Sequence, residues 1–186
     1  MAQEALVIGA SGMLTEVSRW LARQGYQVTV LGRDPVKLRR VRDGSIHPES
    51  IHLLSQDYQQ TDSLRQSMAE LVKRSGPMDV VVAWIHSTAP HALSVIVEEL
   101  SRPEKSWQLL HVCGSGAWKN SPTKPTSEVC IYRRVILGFT WAGEHSRWLT
   151  NDEIAAGVIE ALQTTEQQII VGQVEPWEKR PAYSSI

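Results

Sequence analysis

The sequence predicts an α/β protein in which helices cover both faces of one mostly parallel sheet. Short apolar runs rich in β-branched residues alternate along the chain with segments of helical period, which is the pattern of successive βαβ units. A turn with two glycines follows the first apolar run and opens the first helix. With 186 residues, the chain suits one domain with a sizeable core. Together these observations predict a single doubly wound domain of the Rossmann type.

Seven apolar runs are predicted to be strands, and we expect them in the spatial order 3-2-1-4-5-6-7. The fourth run is continuously apolar, which is typical of a parallel strand buried on both faces. The sixth run is long enough to bend. The seven runs cover residues 5–8, 27–31, 50–54, 79–85, 107–112, 129–140 and 168–171.

Five helices are predicted between these runs. Asp34 is placed to cap the second helix, with Pro35 at its first position, where a missing N–H costs little. Thr150 and Glu153 form a capping-box pattern at the start of the fifth helix. The helices are expected over residues 14–24, 35–42, 64–72, 90–100 and 151–162. Residues 1–174 are thus predicted to form the domain, and residues 175–186 a C-terminal tail.

The composition argues against several classes of partner. The formal net charge is -1, and basic and acidic residues are mixed along the chain. We therefore expect no basic surface that would bind nucleic acid or an anionic membrane. No apolar run approaches the roughly 18 residues of a membrane span, and the first residues lack the basic start of a secretion signal. Cys113 and Cys130 lie in apolar runs without metal-ligand spacing, which predicts buried reduced thiols and no metal site. We therefore expect a soluble, cytoplasmic protein.

The two glycines of the first turn indicate a phosphate-binding site. Gly9 and Gly12 lie between an apolar strand and an amphipathic helix, so backbone amides can point at a pyrophosphate on the positive end of the helix dipole. The spacing departs from the Gly-x-Gly-x-x-Gly fingerprint because Val7 precedes Gly9 and Thr15 stands in the last glycine's place. A side chain at Thr15 is expected to restrict how closely the helix approaches the strand.

The end of the second strand predicts which nicotinamide cofactor binds. Gly32 leaves room where NAD-binding folds place an acid for the ribose hydroxyls, and the Arg33 guanidinium suits a 2′-phosphate. This pattern favours NADP(H). In the alternative interpretation, Arg33 is a solvated loop residue and Asp34 is the ribose acid, but the capping role expected of Asp34 argues against it.

In its glycine turn, the end of its second strand and its strand order, the chain resembles the short-chain dehydrogenase/reductase (SDR) superfamily over nearly its whole length. The resemblance implies that Asp57 and Tyr58 lie by the adenine ring, that residues 83–85 line the cofactor ribose, and that Gly138 lies near the nicotinamide carboxamide. The cofactor-binding residues predicted in all are Gly9, Ala10, Ser11, Gly12, Met13, Leu14, Arg33, Asp57, Tyr58, Ala83, Trp84, Ile85 and Gly138.

The catalytic pattern of the family is incomplete in this chain. Family enzymes carry a serine after the fifth strand, which Ser115 can match, and a Tyr-x-x-x-Lys on the next long helix. Tyr132 is followed four places on by Ile136, and only 16 residues, two of them prolines, separate it from Ser115. The helix is therefore expected to be missing, which predicts an atypical member. That helix also builds the family's usual dimer interface, so a homo-oligomer of this chain needs a different one.

Several side chains remain candidates for the chemistry. Hydride transfer requires a group that protonates or polarises the developing alkoxide, and His86 at the end of a central strand has the best position, with Ser115 as the second choice. Lys119 and Tyr132 are further candidates. His86 is equally compatible with a structural hydrogen bond, and Tyr132 with core or edge-strand packing. Cys113 is a nucleophile only if it is exposed and has a lowered pKa.

Two functions are compatible with these residues. The first is an atypical NADPH-dependent oxidoreductase acting on a small carbonyl or related compound; the second is a non-catalytic NADPH-binding protein with a regulatory or structural role. A nucleotide sugar or other non-redox ligand in the same crevice is a third, which Arg33 disfavours. Trp118, Trp141 and Trp148 fall where a substrate mouth is expected to open, with core packing as the alternative. No motif identifies the substrate.

Overall fold

The computed structural model describes residues 2–182, which contain nine strands and five α-helices. The strands are β1 (Glu4–Ile8), β2 (Gln27–Gly32), β3 (Ile51–Ser55), β4 (Val80–Trp84), β5 (Trp107–Gly114), β6 (Cys130–Leu137), β7 (Phe139–Ala142), β8 (His145–Trp148) and β9 (Gln168–Val171). The helices are α1 (Thr15–Arg23), α2 (Pro35–Asp43), α3 (Thr61–Ser75), α4 (Ala92–Leu100) and α5 (Asn151–Leu162). Single-turn 3-10 helices lie at Pro48–Ser50, Ser115–Trp118 and Trp177–Lys179.

Seven strands form one parallel sheet in the order β3-β2-β1-β4-β5-β6-β9. This confirms the order predicted from the sequence, with β9 as the seventh predicted strand. The central strands read as continuous apolar runs because both of their faces are covered. Val7 on β1, for example, is fully buried and pairs with Val30 on β2 and Val82 on β4.

The helices divide between the two faces of the sheet. Helices α1, α2 and α5 pack on the face that carries Val7 and Val82, and helices α3 and α4 pack on the face that carries Leu6 and Val81. Alternate residues of one strand therefore enter two separate cores, as expected for side chains that alternate across a sheet. The doubly wound architecture is confirmed.

Two helix starts predicted from the sequence are present. The Asp34 carboxylate accepts hydrogen bonds from the backbone N–H groups of Val36 and Lys37 at 2.8 and 3.2 Å. At the start of α5, Thr150 Oγ1 accepts from the N–H of Glu153 at 3.2 Å, and the Glu153 carboxylate accepts from the N–H of Thr150 at 2.8 Å. Both caps satisfy amides that have no partner within their own helix.

The connection between β5 and β6 contains no α-helix. Residues 115–129, all within the described range, form the 3-10 turn Ser115–Trp118 and then irregular chain containing Pro122 and Pro125. A parallel crossover is usually made through a helix. Here the loop of residues 115–129 brings the chain from the end of β5 back to the start of the parallel strand β6.

The sixth predicted strand, residues 129–140, was too long. Strand β6 ends at Leu137, and Phe139 begins an antiparallel hairpin of β7 and β8 that lies outside the main sheet. Phe139 and Gln173 exchange backbone hydrogen bonds of 2.8 Å, and a Cβ at Gly138 would collide with the Gln173 backbone. Gly138 therefore lets the chain after β9 cross at this point, which ends β6.

The predicted tail, residues 175–186, is in contact with the domain over the part that is described. Residues 175–182 contain the 3-10 turn Trp177–Lys179, and Trp118 Nε1 donates to the Glu175 carboxylate at 3.0 Å. Residues 183–186 lie outside the described residues. The described part of this tail is thus packed against the domain.

Candidate functional site

The glycine turn lies at the carboxyl end of β1, next to β4. Gly9 has a φ of 83°, which favours glycine, and a Cβ there would lie 3.0 Å from the backbone oxygen of Trp84. The position of a Cβ on Gly12 has no atom within 4 Å. Gly9 thus serves the close approach of two strands, whereas Gly12 leaves an open surface at the start of α1. Ala10 and Leu14 are fully buried and anchor the turn in the core.

Thr15 contributes to this turn in a way that the sequence did not predict. Its hydroxyl lies 2.8 Å from the carbonyl oxygen of Ala10 and 2.9 Å from that of Gly12, to which it donates. The side chain at the third-glycine position therefore ties the turn to the first residue of α1. No side chain caps the N-terminus of α1, in contrast to α2 and α5, so side chains do not occupy its first amides. An anion can use those amides together with the helix dipole.

The end of β2 lies beside the glycine turn. A Cβ on Gly32 would lie 3.7 Å from the hydroxyl oxygen of Ser11, so the two segments meet at this point. Arg33 is exposed, and its guanidinium makes no hydrogen bond or ion pair with any residue in the range 2–182. The Asp34 carboxylate, by contrast, is held by two backbone N–H groups, which lower its pKa. These contacts argue against Asp34 as the ribose acid.

The ends of β3 and β4 meet through a tyrosine. The backbone N–H of His86 donates to the Tyr58 hydroxyl oxygen at 3.4 Å, and Asp57 accepts from the N–H of Gln59 at 3.0 Å. His86 is exposed, and its Nδ1 accepts from the N–H of Thr88 at 3.3 Å. Tyr58 and His86 therefore lie together, although β2 and β1 separate the two strands that these residues follow.

Trp84 connects the glycine turn with a cavity on the far side of β4. Its Cδ1 atom lies 3.3 Å from the position of a Cβ on Gly9, and its Cη2 atom lies 3.8 Å from that of a Cβ on Gly114. The indole thus crosses the carboxyl ends of β1, β4 and β5. Ala83 and Ile85 flank it; Ala83 is fully buried, whereas Ile85 lines the cavity.

A cavity of about 720 Å³ opens next to Trp84. Its walls are the end of β4, the start of α4, the end of β5 and the loop that replaces a crossover helix. The volume lies in the range typical of small-molecule sites. The lining residues are Trp84, Ile85, His86, Ser87, Ala89, Pro90, Leu93, Ser94, His111, Val112, Cys113, Gly114, Gly116, Ala117, Asn120, Pro122, Thr123 and Pro125.

A pair formed by the buried His111 and the half-buried Tyr132, which the sequence did not reveal as a unit, lies beside the cavity, and His111 lines it. His111 Nδ1 and Tyr132 Oη are 2.8 Å apart, and the rings meet edge to face at 5.8 Å. Burial lowers the pKa of His111 to about 4, assisted by the charge of Arg134, and burial raises the pKa of Tyr132 above its usual value. Both groups are therefore uncharged at neutral pH. The alternation of β5, which turns His111 to the same face as Trp107, is the signal that could have found it.

The two predicted catalytic residues do not lie together at the cavity. His86 lines it, whereas Ser115 is 1% exposed, is not a lining residue, and has a hydroxyl without a hydrogen-bond partner in the described part of the chain. Cys113 lines the cavity, but burial raises the pKa of its thiol to about 12, so it is not a thiolate at neutral pH. Catalysis by His86 or Ser115 remains a prediction.

The tryptophans predicted at a substrate mouth contact the C-terminal segment instead, and none of them lines the cavity. Arg180 lies 4.4 Å from the ring centre of Trp177 and 6.0 Å from that of Trp148. Lys179 lies 5.5 Å from the ring centre of Trp141. Contact of these partly exposed rings with residues 175–182 explains their positions. We call this set the tryptophan cluster: Trp118, Trp141, Trp148 and Trp177.

Gly138, predicted near the nicotinamide, does not line the cavity, and the crossing chain at Gln173 accounts for this glycine. Its contact with a cofactor remains a prediction. Within residues 2–182, none of the helices is both long enough and apolar enough to span a membrane. The same residues contain no group of three side chains that could ligate a metal ion.

No protein-family model and no curated protein matches the chain, but solved structures match its fold. An NADPH-dependent reductase involved in bacilysin biosynthesis gives a TM-score of 0.71 at 17% identity, over 93% of this chain and 100% of the reductase. A metagenomic short-chain oxidoreductase in complex with NADP gives 0.67 at 16% identity, over 91% and 96%. An alcohol dehydrogenase of the archaeon Thermococcus sibiricus, complexed with 5-hydroxy-NADP, gives 0.66 at 17% identity, over 97% and 99%. The chain therefore has the fold of SDR structures.

Proposed function

We propose that this chain binds NADP(H) along the carboxyl edge of its sheet and is an atypical SDR-type oxidoreductase acting on a small carbonyl or related compound. One observation carries the cofactor assignment. The open glycine turn at the uncapped start of α1 lies beside the exposed, unpaired guanidinium of Arg33, while the neighbouring Asp34 is committed to capping α2. This combination suits a pyrophosphate and a 2′-phosphate. The structural relatives support it, because one is complexed with NADP, another with 5-hydroxy-NADP, and a third is an NADPH-dependent reductase.

The predicted cofactor residues divide into three groups by their surroundings. Gly9 to Leu14 form the turn that offers backbone N–H groups to the pyrophosphate. Arg33 holds the 2′-phosphate, and Asp57 with Tyr58 borders the adenosine at the end of β3. Ala83, Trp84 and Ile85 lie between the turn and the cavity, so a ribose seated there directs the nicotinamide toward the cavity.

The chemistry supplied by a bound NADPH is hydride donation. The cavity walls hold the carbonyl compound and exclude water, and the largely apolar lining strengthens each hydrogen bond made inside. His86 lines the cavity and is also exposed to solvent. Its ring can therefore give a proton to the substrate oxygen and recover one from water.

Cofactor selectivity tests the binding assignment. Replacing Arg33→Ala removes the partner of the 2′-phosphate, and we expect the Kd for NADPH to rise about 10- to 100-fold while the Kd for NADH changes less than threefold. Arg39→Ala is the matched control, because Arg39 is an exposed arginine within α2. Equal affinities of the wild type for NADH and NADPH would overturn the assignment.

Turnover tests the oxidoreductase assignment separately. NADPH oxidation is followed at steady state across a panel of aldehydes and ketones, with His86→Ala and Ser115→Ala measured beside the wild type. We expect turnover by the wild type and a loss of at least tenfold in kcat for His86→Ala. NADPH bound tightly without oxidation in the presence of any panel member would contradict catalysis.

The second candidate is a non-catalytic NADPH-binding protein with a regulatory or structural role. The buried, unpartnered hydroxyl of Ser115 and the missing helix between β5 and β6 favour it, because the family's serine and Tyr-x-x-x-Lys have no exposed counterpart here. A homo-oligomer, if formed, needs an interface other than that helix. Sedimentation with and without NADPH tests whether cofactor occupancy controls assembly.

A further inference from the structure

Among residues 2–182, no aspartate, glutamate, lysine or arginine lines the cavity beside the proposed cofactor site. The polar groups of its lining are imidazole, hydroxyl and amide side chains, among them His111 and Asn120. Cys113 also lines it, as an uncharged thiol. Arg134, whose charge acts on His111, donates to Gln168 at 2.6 Å and is not part of the lining. An ionic ligand held against these walls would lose hydration without gaining an ion pair to a lysine, arginine, aspartate or glutamate side chain.

The two ring nitrogens of His111 have different surroundings. Nδ1 is taken by the Tyr132 hydroxyl at 2.8 Å. Nε2 makes no hydrogen bond with any residue from 2 to 182, and it is not among the side-chain atoms that are both buried and unpartnered there. His111 is only 8% exposed and lines the cavity. Nε2 therefore keeps some accessible surface, and the cavity that His111 lines offers a ligand a route to it.

Tyr132 can determine which nitrogen of His111 carries the proton. The phenol stays protonated at neutral pH, so its O–H can donate to Nδ1. A neutral imidazole that accepts at Nδ1 carries its proton on Nε2. The donor then faces the cavity, where an oxygen acceptor of a ligand can satisfy it.

We propose that the cavity binds an uncharged carbonyl substrate whose oxygen accepts a hydrogen bond from Nε2–H of His111, with Tyr132 as the positioning residue that fixes this tautomer. That this ligand is a substrate rests on the proposed function, whereas its binding in the cavity does not. His111 thereby supplies the polarising contact to the carbonyl that Ser115, buried away from the cavity, cannot reach.

The charge selectivity is tested with three matched pairs of ketones: acetophenone and 4-acetylbenzoate, cyclohexanone and 4-oxocyclohexanecarboxylate, 2-acetylnaphthalene and 6-acetyl-2-naphthoate. Binding to the full chain is measured by ligand-observed NMR, with and without saturating NADP. We expect the neutral member to bind at least tenfold more tightly in every pair that binds. Equal or tighter binding of the carboxylates, or binding of none of the six, would overturn the proposal.

The contact with His111 is tested by substitution. His111→Leu introduces an apolar side chain of similar size and removes the hydrogen-bond donor. We expect neutral ketones to bind about tenfold more weakly, while the Kd for NADPH changes less than twofold. His52→Leu is the control, because His52 lies on β3, bonded to Gln27 at 2.8 Å, and does not line the cavity. Unchanged ketone binding in a folded His111→Leu protein contradicts the assignment.

The tautomer of His111 is measured in the wild-type protein, so this test does not depend on the stability of a variant. In protein labelled with 15N-histidine, we expect His111 to carry its proton on Nε2 and the Nε2 signal to shift when a neutral ketone is added. Tyr132→Phe should populate the other tautomer and weaken the ketone about threefold or more, which loss of packing alone would not do. A wild-type proton on Nδ1 rules the proposal out. NADPH affinity, measured in the same samples, reports separately on the proposed function.

Discussion

The Thr15 hydroxyl lies 2.8 Å from the carbonyl oxygen of Ala10, so a side chain of α1 holds the turn that precedes it. The same hydroxyl lies 2.9 Å from the Gly12 carbonyl oxygen and shares its one proton between the two acceptors. In the three-glycine fingerprint, the third glycine allows the helix to pack closely on the strand because it has no side chain. Here Thr15 takes that place, and its hydrogen bond holds the turn. The geometry of the proposed phosphate site therefore depends on a hydroxyl group.

Thr15→Val tests this dependence because it preserves size and branching and removes only the hydroxyl. We expect the free energy of unfolding to fall by about 1 kcal/mol, and the Kd for NADPH to rise several-fold because the turn loses its preferred conformation. Thr15→Ser, which keeps the hydroxyl, is the control and should retain most of the affinity. Denaturant titration and NADPH fluorescence measure the two quantities. Identical NADPH binding by the valine and serine variants would contradict this role.

Gly9 and Gly12 should respond differently to the same substitution. Gly9→Ala forces a Cβ into a backbone with positive φ and to 3.0 Å from the Trp84 oxygen, so we expect a loss of about 1–3 kcal/mol in stability. At Gly12→Ala the new methyl group meets nothing within 4 Å, so stability should change by less than 1 kcal/mol. The methyl group would instead occupy the surface proposed for the pyrophosphate. NADPH binding should therefore weaken in Gly12→Ala although its thermal midpoint is nearly that of the wild type.

His111 should make the fold sensitive to mild acid. Its pKa is about 4 in the folded protein and about 6.5 in the unfolded chain, so the unfolded chain binds more protons between these values. Stability is therefore lost as pH falls through this window, by about 2 kcal/mol between pH 7 and pH 5 for this group. Urea titration of the wild type and of His111→Leu at both pH values measures it. Between pH 7 and pH 5, the free energy of unfolding of His111→Leu should fall by about 2 kcal/mol less than that of the wild type. His145→Leu, which changes an exposed histidine, should lose as much stability as the wild type.

Arg133 should be important for stability although it forms no ion pair in the described part of the chain. Its side chain is 3% exposed and donates to the carbonyl oxygens of Ala161 and Glu166 at 2.9 and 2.8 Å, where α5 ends and the chain turns into β9. Arg133→Met keeps the apolar stem but removes the hydrogen bonds to both carbonyl oxygens, and we expect a loss of about 2 kcal/mol. The same change at the partly exposed Arg134 should cost less than half as much. Chemical denaturation of both variants distinguishes them.

The features that the sequence predicted correctly are those with a local signal. The caps at Asp34 and Thr150 depend on residues two or three places away, and the strand order follows from the alternation of apolar runs. The end of β6 was missed because it depends on Gln173, which is remote in sequence and crosses at Gly138.

The site follows the same rule. The turn at Gly9 and the strand end at Arg33 have local patterns, so both could be predicted, and the structure places the two segments side by side. The pair of His111 and Tyr132 is created by the parallel pairing of β5 with β6, across 21 positions of sequence. No periodicity reports such a register, so the chemistry of the cavity became visible only in three dimensions.

The tryptophan cluster gives this protein a built-in optical probe. Four of its seven tryptophans lie where residues 175–182 meet the hairpin and the 3-10 turn after β5, whereas Trp107 is buried in the sheet. Indole emission therefore reports mainly on the docking of the C-terminal segment, and far-ultraviolet circular dichroism reports on the sheet and helices. On heating, a fluorescence transition that precedes the dichroism transition would mean that the segment separates while the domain is still folded.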